Sequence, residues 1–286
     1  MRTSLFILAQ HLLPHHLLSR IVGKLAASEN TFVKTRFINW FAARYQVDMS
    51  EAADTDLGSY SNFNNFFTRA LKPGARPISD GPQDVVCPAD GAISQLGIID
   101  KNRIFQAKGK GFTVEALLGA DPAVAEQFHG GQFATVYLSP RDYHRVHMPV
   151  DGKLLQTLYI PGKLFSVNKV TAENVDELFA RNERLVCLFE TPAGPMALVL
   201  VGAMIVAGID TVWAGHVCPT SPLKVSTDYA AQGEVVLKRG EEMGRFKLGS
   251  TAIVLFGPGA VALEPSLQAD STVRMGQKLG TMLAGQ

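Results

Sequence analysis

From residue 84 onward, short β-prone runs alternate with breaks that contain glycine or proline, and this pattern limits the fold more than any other feature. Runs of this length between turn residues are typical of strands in a sheet. Two helical interruptions are predicted, over 114–118 and over 171–181, where Thr171 would cap the helix. The pattern therefore predicts an α+β protein with a β-rich core over residues 84–286. The predicted strands are 134–138, 153–160, 185–189, 197–209, 233–237, 252–256 and 260–263.

Residues 1–47 differ from this core because their apolar residues recur at helical spacing, which predicts two helices. Residues 48–83, which Pro73 and Pro77 interrupt, are predicted to be a connector. The apolar positions are Leu13, Leu17, Ile21 and Leu25 in the first helix and Val33, Phe37, Trp40 and Phe41 in the second.

The same N-terminal region concentrates positive charge. Residues 1–47 hold six basic residues against Glu29 alone, whereas the whole chain has a net charge of +1. A basic amphipathic segment with aromatic residues suits the surface of an anionic bilayer. A helical hairpin packed on the protein's own core would show the same periodicity, so both interpretations stay open. The balanced total charge gives no reason to expect binding to nucleic acid.

The first segment of the chain is expected to be retained. A signal peptide needs an unbroken apolar stretch before its cleavage site, and Pro14, His15 and His16 interrupt this one. No window has the length and apolar content of a membrane-spanning helix. With 47% hydrophobic and 19% charged residues, the chain has enough apolar material for a large core.

The three cysteines, Cys87, Cys187 and Cys218, are widely separated. None belongs to a Cys-x-x-Cys pair or to a Cys/His spacing that would bind zinc, so no metal site is predicted. An odd, scattered set also argues against disulfides. We expect three small, buried apolar side chains.

The pair Gly249-Ser250 lies between two strand-like runs near the C-terminus. Glycine and serine form turns, and the dipeptide alone favours that interpretation. The pair also permits a reaction, because a serine hydroxyl can attack the carbonyl of the preceding residue and convert the amide into an ester. Glycine assists, since it has no Cβ to block the approach. Such an attack needs a base and a group that orients the base.

His144 and His147, in the segment Tyr143-His144-Arg145-Val146-His147, are candidates for that base. Histidines three residues apart share one face of a helix but point to opposite sides of a strand. Prolines bracket the segment, so we expect a turn that leads into a short strand, with only one histidine pointing fully into a given pocket. A hydrogen-bonded structural pair, or a metal site that lacks its other ligands, is the alternative interpretation.

Asp90 lies in the segment Pro88-Ala89-Asp90-Gly91, which is a turn signature. An aspartate in such a position can also fix the tautomer of a histidine. Asp151-Gly152 is a similar pair, so the dipeptide by itself favours the turn.

Together, three segments resemble the signature motifs of the bacterial phosphatidylserine decarboxylases, in that family's order and spacing. The resemblance extends over nearly the whole chain and is weakest at residues 216–232. The segments are Pro88-Ala89-Asp90-Gly91, Tyr143-His144-Arg145-Val146-His147 and Phe246-Lys247-Leu248-Gly249-Ser250-Thr251.

The resemblance implies a role for each candidate residue. Ser250 would be the nucleophile of self-cleavage at Gly249–Ser250, His147 its base and Asp90 the partner that orients this base. Ser250 would then become a covalent pyruvoyl group, with no metal required. Phosphatidylserine would form a Schiff base with that group and lose CO₂ to give phosphatidylethanolamine. His144 is the candidate for proton transfer or carboxylate handling in this second reaction.

The resemblance also implies partners and a location. Cleavage would produce a β subunit of residues 1–249 and an α subunit of residues 250–286, and a homodimer of such αβ units is allowed. The protein would attach peripherally to the cytoplasmic side of the cell membrane through residues 1–47. Separately from the family resemblance, the glycine-punctuated β runs resemble the barrel–sandwich arrangement of lipoyl-type domains.

Two other classes of protein would use the same residues differently. A membrane-associated Ser/His/Asp hydrolase would keep one intact chain, but the segment Leu248–Ala252 lacks the Gly-x-Ser-x-Gly form of a nucleophile elbow. A non-enzymatic lipid- or carrier-binding β domain would not need the Ser250 hydroxyl at all.

Overall fold

A computed structural model describes residues 6–8, 10–11, 13–204, 208–218, 221–229, 234–247 and 250–283. The helices are α1 (His15–Ala26), α2 (Thr31–Tyr45), α3 (Phe63–Phe67), α4 (Val114–Leu118), α5 (Pro122–Glu126), α6 (Lys169–Asn174) and α7 (Leu178–Arg181). The strands are β1 (Asp84–Val86), β2 (Gly91–Ile98), β3 (Arg103–Ala107), β4 (Lys110–Thr113), β5 (Gln132–Leu138), β6 (Arg145–His147), β7 (Gly152–Ile160), β8 (Arg184–Thr191), β9 (Gly194–Gly202), β10 (Gly208–Thr211), β11 (Gly215–Cys218), β12 (Val225–Asp228), β13 (Val236–Leu237), β14 (Glu242–Lys247), β15 (Ser250–Phe256), β16 (Val261–Leu263), β17 (Thr272–Val273) and β18 (Lys278–Met282).

The main sheet has nine antiparallel strands in the order β12-β7-β8-β9-β15-β5-β2-β17, with β13 also paired to β7. Smaller sheets follow the orders β11-β10-β14-β6, β1-β18-β16 and β3-β4. The predicted α+β class with a β-rich core is confirmed. Among the described strands the main sheet stays open at both edges and closes no barrel, so the core corresponds to a sandwich.

The main sheet is buried on both faces, and β15 shows this most clearly. Ala252 and Val254 pack into the cluster that contains Ile209 and Phe246 of the four-stranded sheet. Alternate residues such as Ile253 pack into a second cluster with the short helices α4 to α7. We call these the sandwich face and the helical face. Burial on both sides explains why β15 is apolar without alternation.

The N-terminal helices pack on the protein itself with one side only. Ala26, Ile38 and Phe41 form a buried cluster with the phenylalanines of α3, so the core-packing interpretation holds for that side. Trp40, which was predicted to share the face of Phe41, is 56% exposed, because adjacent helical residues are turned by about 100°. No helix in the described ranges combines the length and apolar content needed to cross a membrane.

The opposite side of α1 is apolar and exposed. Leu17, Ile21 and Leu25 are 52%, 51% and 47% exposed. Residues four apart form one line along a helix, so these three form a continuous surface, which we call the α1 stripe.

Several predicted elements have different bounds in the structure. The run 197–209 is two strands, β9 and β10, because the chain leaves the main sheet after Gly202 and enters the four-stranded sheet at Gly208. The predicted helix 171–181 is likewise two helices, α6 and α7. Asn168 rather than Thr171 caps the first, by accepting a hydrogen bond from the Thr171 amide at 3.0 Å. The cysteines are buried, as expected.

Candidate active site

Ser250 is the first residue of β15 and lies at one end of the main sheet. It pairs with Leu138 on β5 and with Gly202 on β9, so strands fix its backbone on both sides. Ser250 is two residues from Ala252 in the same strand, so its side chain points to the same face as Ala252, the sandwich face. Gly249, the other residue of the predicted cleavage bond, lies outside the described residues.

The three sequence motifs meet at this end of the sheet. Strand β5 lies between β2 and β15 and is antiparallel to both, so Asp90, which precedes β2, lies beside the end of β5 at Leu138 and the start of β15 at Ser250. Gly91 makes this approach possible. Its φ is +153°, and a Cβ there would lie 2.1 Å from the Tyr137 carbonyl oxygen, which leaves room for glycine alone.

Backbone hydrogen bonds tie the histidine segment to the other two motifs. The His147 amide donates to the Pro88 carbonyl at 2.8 Å, and the Phe246 amide donates to the His144 carbonyl at 3.0 Å. His144 lies just before β6, whereas His147 is its last residue, which confirms the expected turn and short strand. Segments far apart in sequence are thus held by the main chain, independently of their catalytic side chains.

The hydroxyl of Ser250 is buried and has no hydrogen-bond partner among the described residues. The same is true of its neighbour Thr251, whose side chain points to the helical face. Leaving a buried hydroxyl unpaired costs about 1–3 kcal/mol, and such a group in a folded protein calls for a functional explanation. The position of Ser250, where the three motifs meet, offers one.

His144 is fully buried, with its ring against Phe67 at a centroid distance of 3.9 Å. Its Nδ1 lies 2.8 Å from the Asp142 carbonyl oxygen. A carbonyl can only accept, so Nδ1 carries the proton and Nε2 carries the lone pair. No described residue contacts that Nε2 through a hydrogen bond. Burial lowers the pKa of His144 to about 3, so the ring is a neutral base with an open lone pair.

His147 is buried too, but both of its nitrogens are occupied. Nδ1 donates to the Gly240 carbonyl at 2.8 Å, and the Tyr143 hydroxyl donates to Nε2 at 3.1 Å. Burial lowers the pKa of His147 and raises that of Tyr143 to about 12. Both groups are therefore uncharged at neutral pH, and the Tyr143 hydroxyl covers the lone pair of His147.

Asp90 makes its hydrogen bonds elsewhere. Its two carboxylate oxygens accept from Arg76 Nε at 2.9 and 3.0 Å, and one of them accepts from the Met275 amide at 2.9 Å. Within the described part of the chain no hydrogen bond joins Asp90 to His147. The carboxylate is still close enough for its charge to raise the pKa of His147, against the larger effect of burial. Its predicted role as the orienting partner stays a prediction.

Arg76 is the site residue that the sequence analysis missed. Its side chain is only 7% exposed and also forms an ion pair with Glu51 at 2.8 Å, which in turn bonds to Arg274 at 2.8 Å. The network therefore joins the connector to the last part of the chain. In sequence, Arg76 precedes a proline in a segment without periodicity, and nothing in that pattern indicates its partner.

Comparisons with known proteins agree with this geometry. The family model described as phosphatidylserine decarboxylase matches residues 63–281, and a second one, described as PSD, matches residues 5–46. The chain is 62% identical to a phosphatidylserine decarboxylase proenzyme of Pseudomonas putida strain F1 over 281 residues, which cover 98% of each protein. It is 63% identical over 277 residues to the protein of the same description from Pseudomonas aeruginosa strain LESB58, with 96% of each covered.

The chain belongs to the phosphatidylserine decarboxylase family. The family match includes all four predicted site residues, Asp90, His144, His147 and Ser250. The boundaries of the second match nearly coincide with the helical region predicted over residues 1–47. For a phosphatidylserine decarboxylase, two features require explanation: the Ser250 hydroxyl, which has no hydrogen-bond partner among the described residues, and the two neutral histidines of the segment that bonds to Pro88 and Phe246.

Proposed function

We propose that this chain is a proenzyme that cleaves itself at Gly249–Ser250 and then converts phosphatidylserine into phosphatidylethanolamine and CO₂. The observation that carries the proposal is the buried hydroxyl of Ser250, which has no hydrogen-bond partner in the described part of the chain and lies where three motifs converge. The mature protein would consist of residues 1–249 and 250–286. Because β15 pairs with β5 and β9 along its whole length, the two pieces would stay together.

Self-cleavage proceeds through an ester, an elimination and a hydrolysis. Ser250 Oγ attacks the Gly249 carbonyl, His147 takes the hydroxyl proton, and the proton passes to the amide nitrogen as the ester forms. Loss of the Ser250 α-proton then expels the Gly249 carboxylate. The dehydroalanine that remains tautomerises to an imine, and water hydrolyses this imine to a pyruvoyl group and ammonia.

His147 can act as this base only after its Nε2 becomes accessible. The Tyr143 hydroxyl covers the lone pair at 3.1 Å, so the hydroxyl must turn away or pass the proton along. The Gly240 carbonyl holds the required tautomer through Nδ1. Asp90, with its charge, supports the imidazolium that forms when His147 takes the proton.

The surroundings of Ser250 fit a pyruvoyl group. Ser250 is fully buried, and Gly202 on the neighbouring strand presents no side chain toward it. A pyruvoyl ketone supplies an electron sink for a substrate amine. We assign His144 to the second reaction, because its neutral ring offers Nε2 to hold a proton or to orient the substrate carboxylate. The Phe67 ring beside it excludes water from that nitrogen.

The N-terminal helices are proposed to attach the protein peripherally to the cytoplasmic face of an anionic membrane. The α1 stripe presents Leu17, Ile21 and Leu25, and the basic side chains Arg20 and Lys24 of the same helix are also exposed. Apolar side chains enter the acyl boundary while cations meet the headgroups. The homodimer of αβ units stays a prediction.

Replacing Leu17, Ile21 and Leu25 by asparagine should weaken binding to vesicles that contain phosphatidylserine. Each aliphatic side chain contributes about 1.5–3 kcal/mol on full burial and less at an interface, so we expect a loss on the order of a hundredfold. Co-sedimentation with vesicles measures the effect. Ile98→Asn is the matched control, since Ile98 is 65% exposed and lies outside α1, at the end of β2 that is farthest from Asp90. Equal loss in the control would contradict the assignment.

Purified protein should consist of two pieces of 249 and 37 residues, and intact-mass measurement would detect both. The smaller piece should resist N-terminal sequencing, because a pyruvoyl group has no amine. Vesicles of labelled phosphatidylserine should yield labelled phosphatidylethanolamine. A single full-length chain that reacts at Ser250 with a serine-directed inhibitor would favour the hydrolase, and a single chain that merely binds lipid would favour the carrier-type domain.

A further inference from the structure

The peptide bond between Gly249 and Ser250 lies between two fixed points of the fold. On one side, Lys247 is the last residue of β14 and pairs with Gly208 at the start of β10. On the other side, Ser250 begins β15 and pairs with Gly202 at the end of β9. The Cα–Cα steps from Lys247 to Ser250 cover about 11 Å at most. The position of Lys247 therefore limits how the Gly249 carbonyl can be placed.

This placement matters because of the ring that the cleavage reaction forms. When Ser250 Oγ attacks the preceding carbonyl, the new ring contains Oγ, Cβ, Cα, the amide nitrogen and the carbonyl carbon. Such a small ring closes only if the Gly249–Ser250 peptide presents its carbonyl carbon to the hydroxyl. A misplacement on the order of 1 Å can slow a reaction about a hundredfold. A residue that holds Lys247 in place can thus control the rate of cleavage.

Asp210 is the residue that holds Lys247. Its Oδ2 lies 2.8 Å from Lys247 Nζ, and its Oδ1 accepts from His216 Nδ1 at 2.8 Å. Each carboxylate oxygen is therefore bound to a donor, which fixes the orientation of the carboxylate. In the backbone register Asp210 pairs with Arg245 on β14 and with His216 on β11. The ion pair to Lys247 is thus a diagonal contact between neighbouring strands.

The Asp210–Lys247 ion pair is partly shielded from solvent. Its side chains are 22% and 25% exposed, compared with 68% and 66% for the pair of Asp270 and Lys169. Burial would raise the pKa of Asp210, but hydrogen bonds from His216 and Lys247 lower it below its ordinary value. The carboxylate therefore stays charged at neutral pH, and salt screens this pair less than an exposed one.

The neighbouring cation of β14 is neutralised by a different carboxylate. Arg245 pairs with Glu242 at 2.6 Å, and Glu242 also pairs with Arg145 at 2.8 Å. Among the described residues, only Asp210 places a carboxylate within ion-pair distance of Lys247. Loss of the Asp210 charge would leave the Lys247 ammonium without that partner, directly beside the cleavage segment.

We propose that Asp210 is a positioning residue for self-cleavage at Gly249–Ser250. Its charge holds Lys247, and Lys247 in turn keeps the Gly249 carbonyl within reach of Ser250 Oγ. The inference deepens the proposed function and rests on it. Asp210 acts through Lys247 and takes no proton in the reaction. Because partly exposed ion pairs add little to folding stability, the effects on cleavage rate and on stability can be measured separately.

Asp210→Asn keeps the size of the side chain and an acceptor for His216 but removes the charge. It should slow cleavage by about tenfold to a hundredfold, measured as the fraction of cleaved chain over time after cell-free synthesis. Asp210→Glu keeps the carboxylate and should restore most of the rate. Asp84→Asn is the matched control, since Asp84 pairs with Lys278 at 3.0 Å in the three-stranded sheet. This control should cleave at the unaltered rate.

A double-mutant cycle tests whether Asp210 acts through Lys247. Lys247→Met removes the ammonium but keeps an unbranched side chain, and it should slow cleavage as much as Asp210→Asn does. The variant with both changes should be no slower than either single variant, because the same contact is lost in all three. Effects that multiply would show independent roles and overturn the proposal.

Thermal unfolding separates positioning from loss of structure. In the uncleavable Ser250→Ala chain, adding Asp210→Asn should shift the melting temperature by no more than about 4 °C, as expected for a partly exposed ion pair. A larger shift would mean that slow cleavage arises from disrupted packing, and the positioning role would be rejected.

Equal cleavage rates of the unaltered chain and of Asp210→Asn would overturn the proposal and leave self-cleavage standing. The same slow rate in Asp84→Asn, or in Asp210→Glu, would also count against it, because the effect would not depend on a carboxylate at this position. An unaltered chain that stays intact would refute the proposed function itself, and this inference with it.

Discussion

Replacing Ser250 by alanine is expected to leave the purified protein as one chain of 286 residues without decarboxylase activity. Alanine removes the only atom of this side chain that can attack the Gly249 carbonyl. Loss of a catalytic serine lowers the rate on the order of a millionfold, so no α subunit should accumulate on the time scale of expression. Intact-mass measurement and the release of CO₂ from labelled phosphatidylserine report the two effects separately.

Thr251→Ala is the matched control for this experiment. The Thr251 hydroxyl is equally buried and likewise has no partner within the described ranges, but it belongs to the helical face of β15. The control removes an adjacent hydroxyl from the same strand and should cleave normally. If Ser250→Ala still produced two pieces, Ser250 would not be the nucleophile. If Thr251→Ala also blocked cleavage, the effect would arise from the packing of β15.

His147→Ala is expected to accumulate uncleaved chain, whereas His144→Ala should cleave and then decarboxylate poorly. A general base contributes about 10²–10⁴-fold to rate, so each variant should lose that much in its own reaction. Time courses of cleavage after synthesis in a cell-free system measure the first effect. Turnover of the cleaved His144→Ala protein measures the second.

This comparison tests the two roles strictly, because the lone pair of His147 Nε2 is covered by the Tyr143 hydroxyl, whereas His144 Nε2 has no hydrogen-bond partner among the described residues. Uncleaved His144→Ala together with freely cleaving His147→Ala would reverse the assignment. Tyr143→Phe supplies a further control: it uncovers Nε2 of His147 and should not slow cleavage if His147 acts directly. Loss of cleavage in Tyr143→Phe would instead indicate that the hydroxyl relays the proton.

The pH dependence of cleavage follows from burial. Desolvation lowers the pKa of His147 below the ordinary value of 6.5, so its basic form persists to lower pH than that of an exposed histidine. Cleavage should therefore stay at its plateau as the pH falls through 6.5, and should decline only in more acidic solution.

Local pattern was sufficient for the long central strands β5, β7, β8, β9 and β15 of the β-rich core. The run 252–256 lies inside β15 because its continuous apolar stretch is buried on both faces of the sheet, whereas the run 153–160 lies inside β7, which mixes apolar and polar residues and is only partly buried. The run 197–209 was not divided correctly, since the transfer of the chain from one sheet to another depends on pairing partners distant in sequence. Several other strands were not predicted, among them β2 and β14 as well as the hairpin β3-β4.

The identities of the candidate site residues could be predicted from the sequence, but the groups that they contact could not. Asp90, His144, His147 and Ser250 stand out because their motifs resemble a family, and the family match supports that resemblance. The partners of these residues come from elsewhere in the chain. Arg76 holds Asp90 and Tyr143 covers His147, and no periodicity or motif indicates either contact.

The sequence by itself determined the family, the β-rich core, the basic helical region and the four residues expected to carry the chemistry, because these depend on residue type, spacing and local periodicity. Only the tertiary structure decided which groups touch. Among the residues that the structure describes, it left the Ser250 hydroxyl and His144 Nε2 without hydrogen-bond partners, and it paired Asp90 with Arg76. The physical reason is that burial and strand register, which set desolvation and hydrogen bonding, arise from residues far apart in the chain.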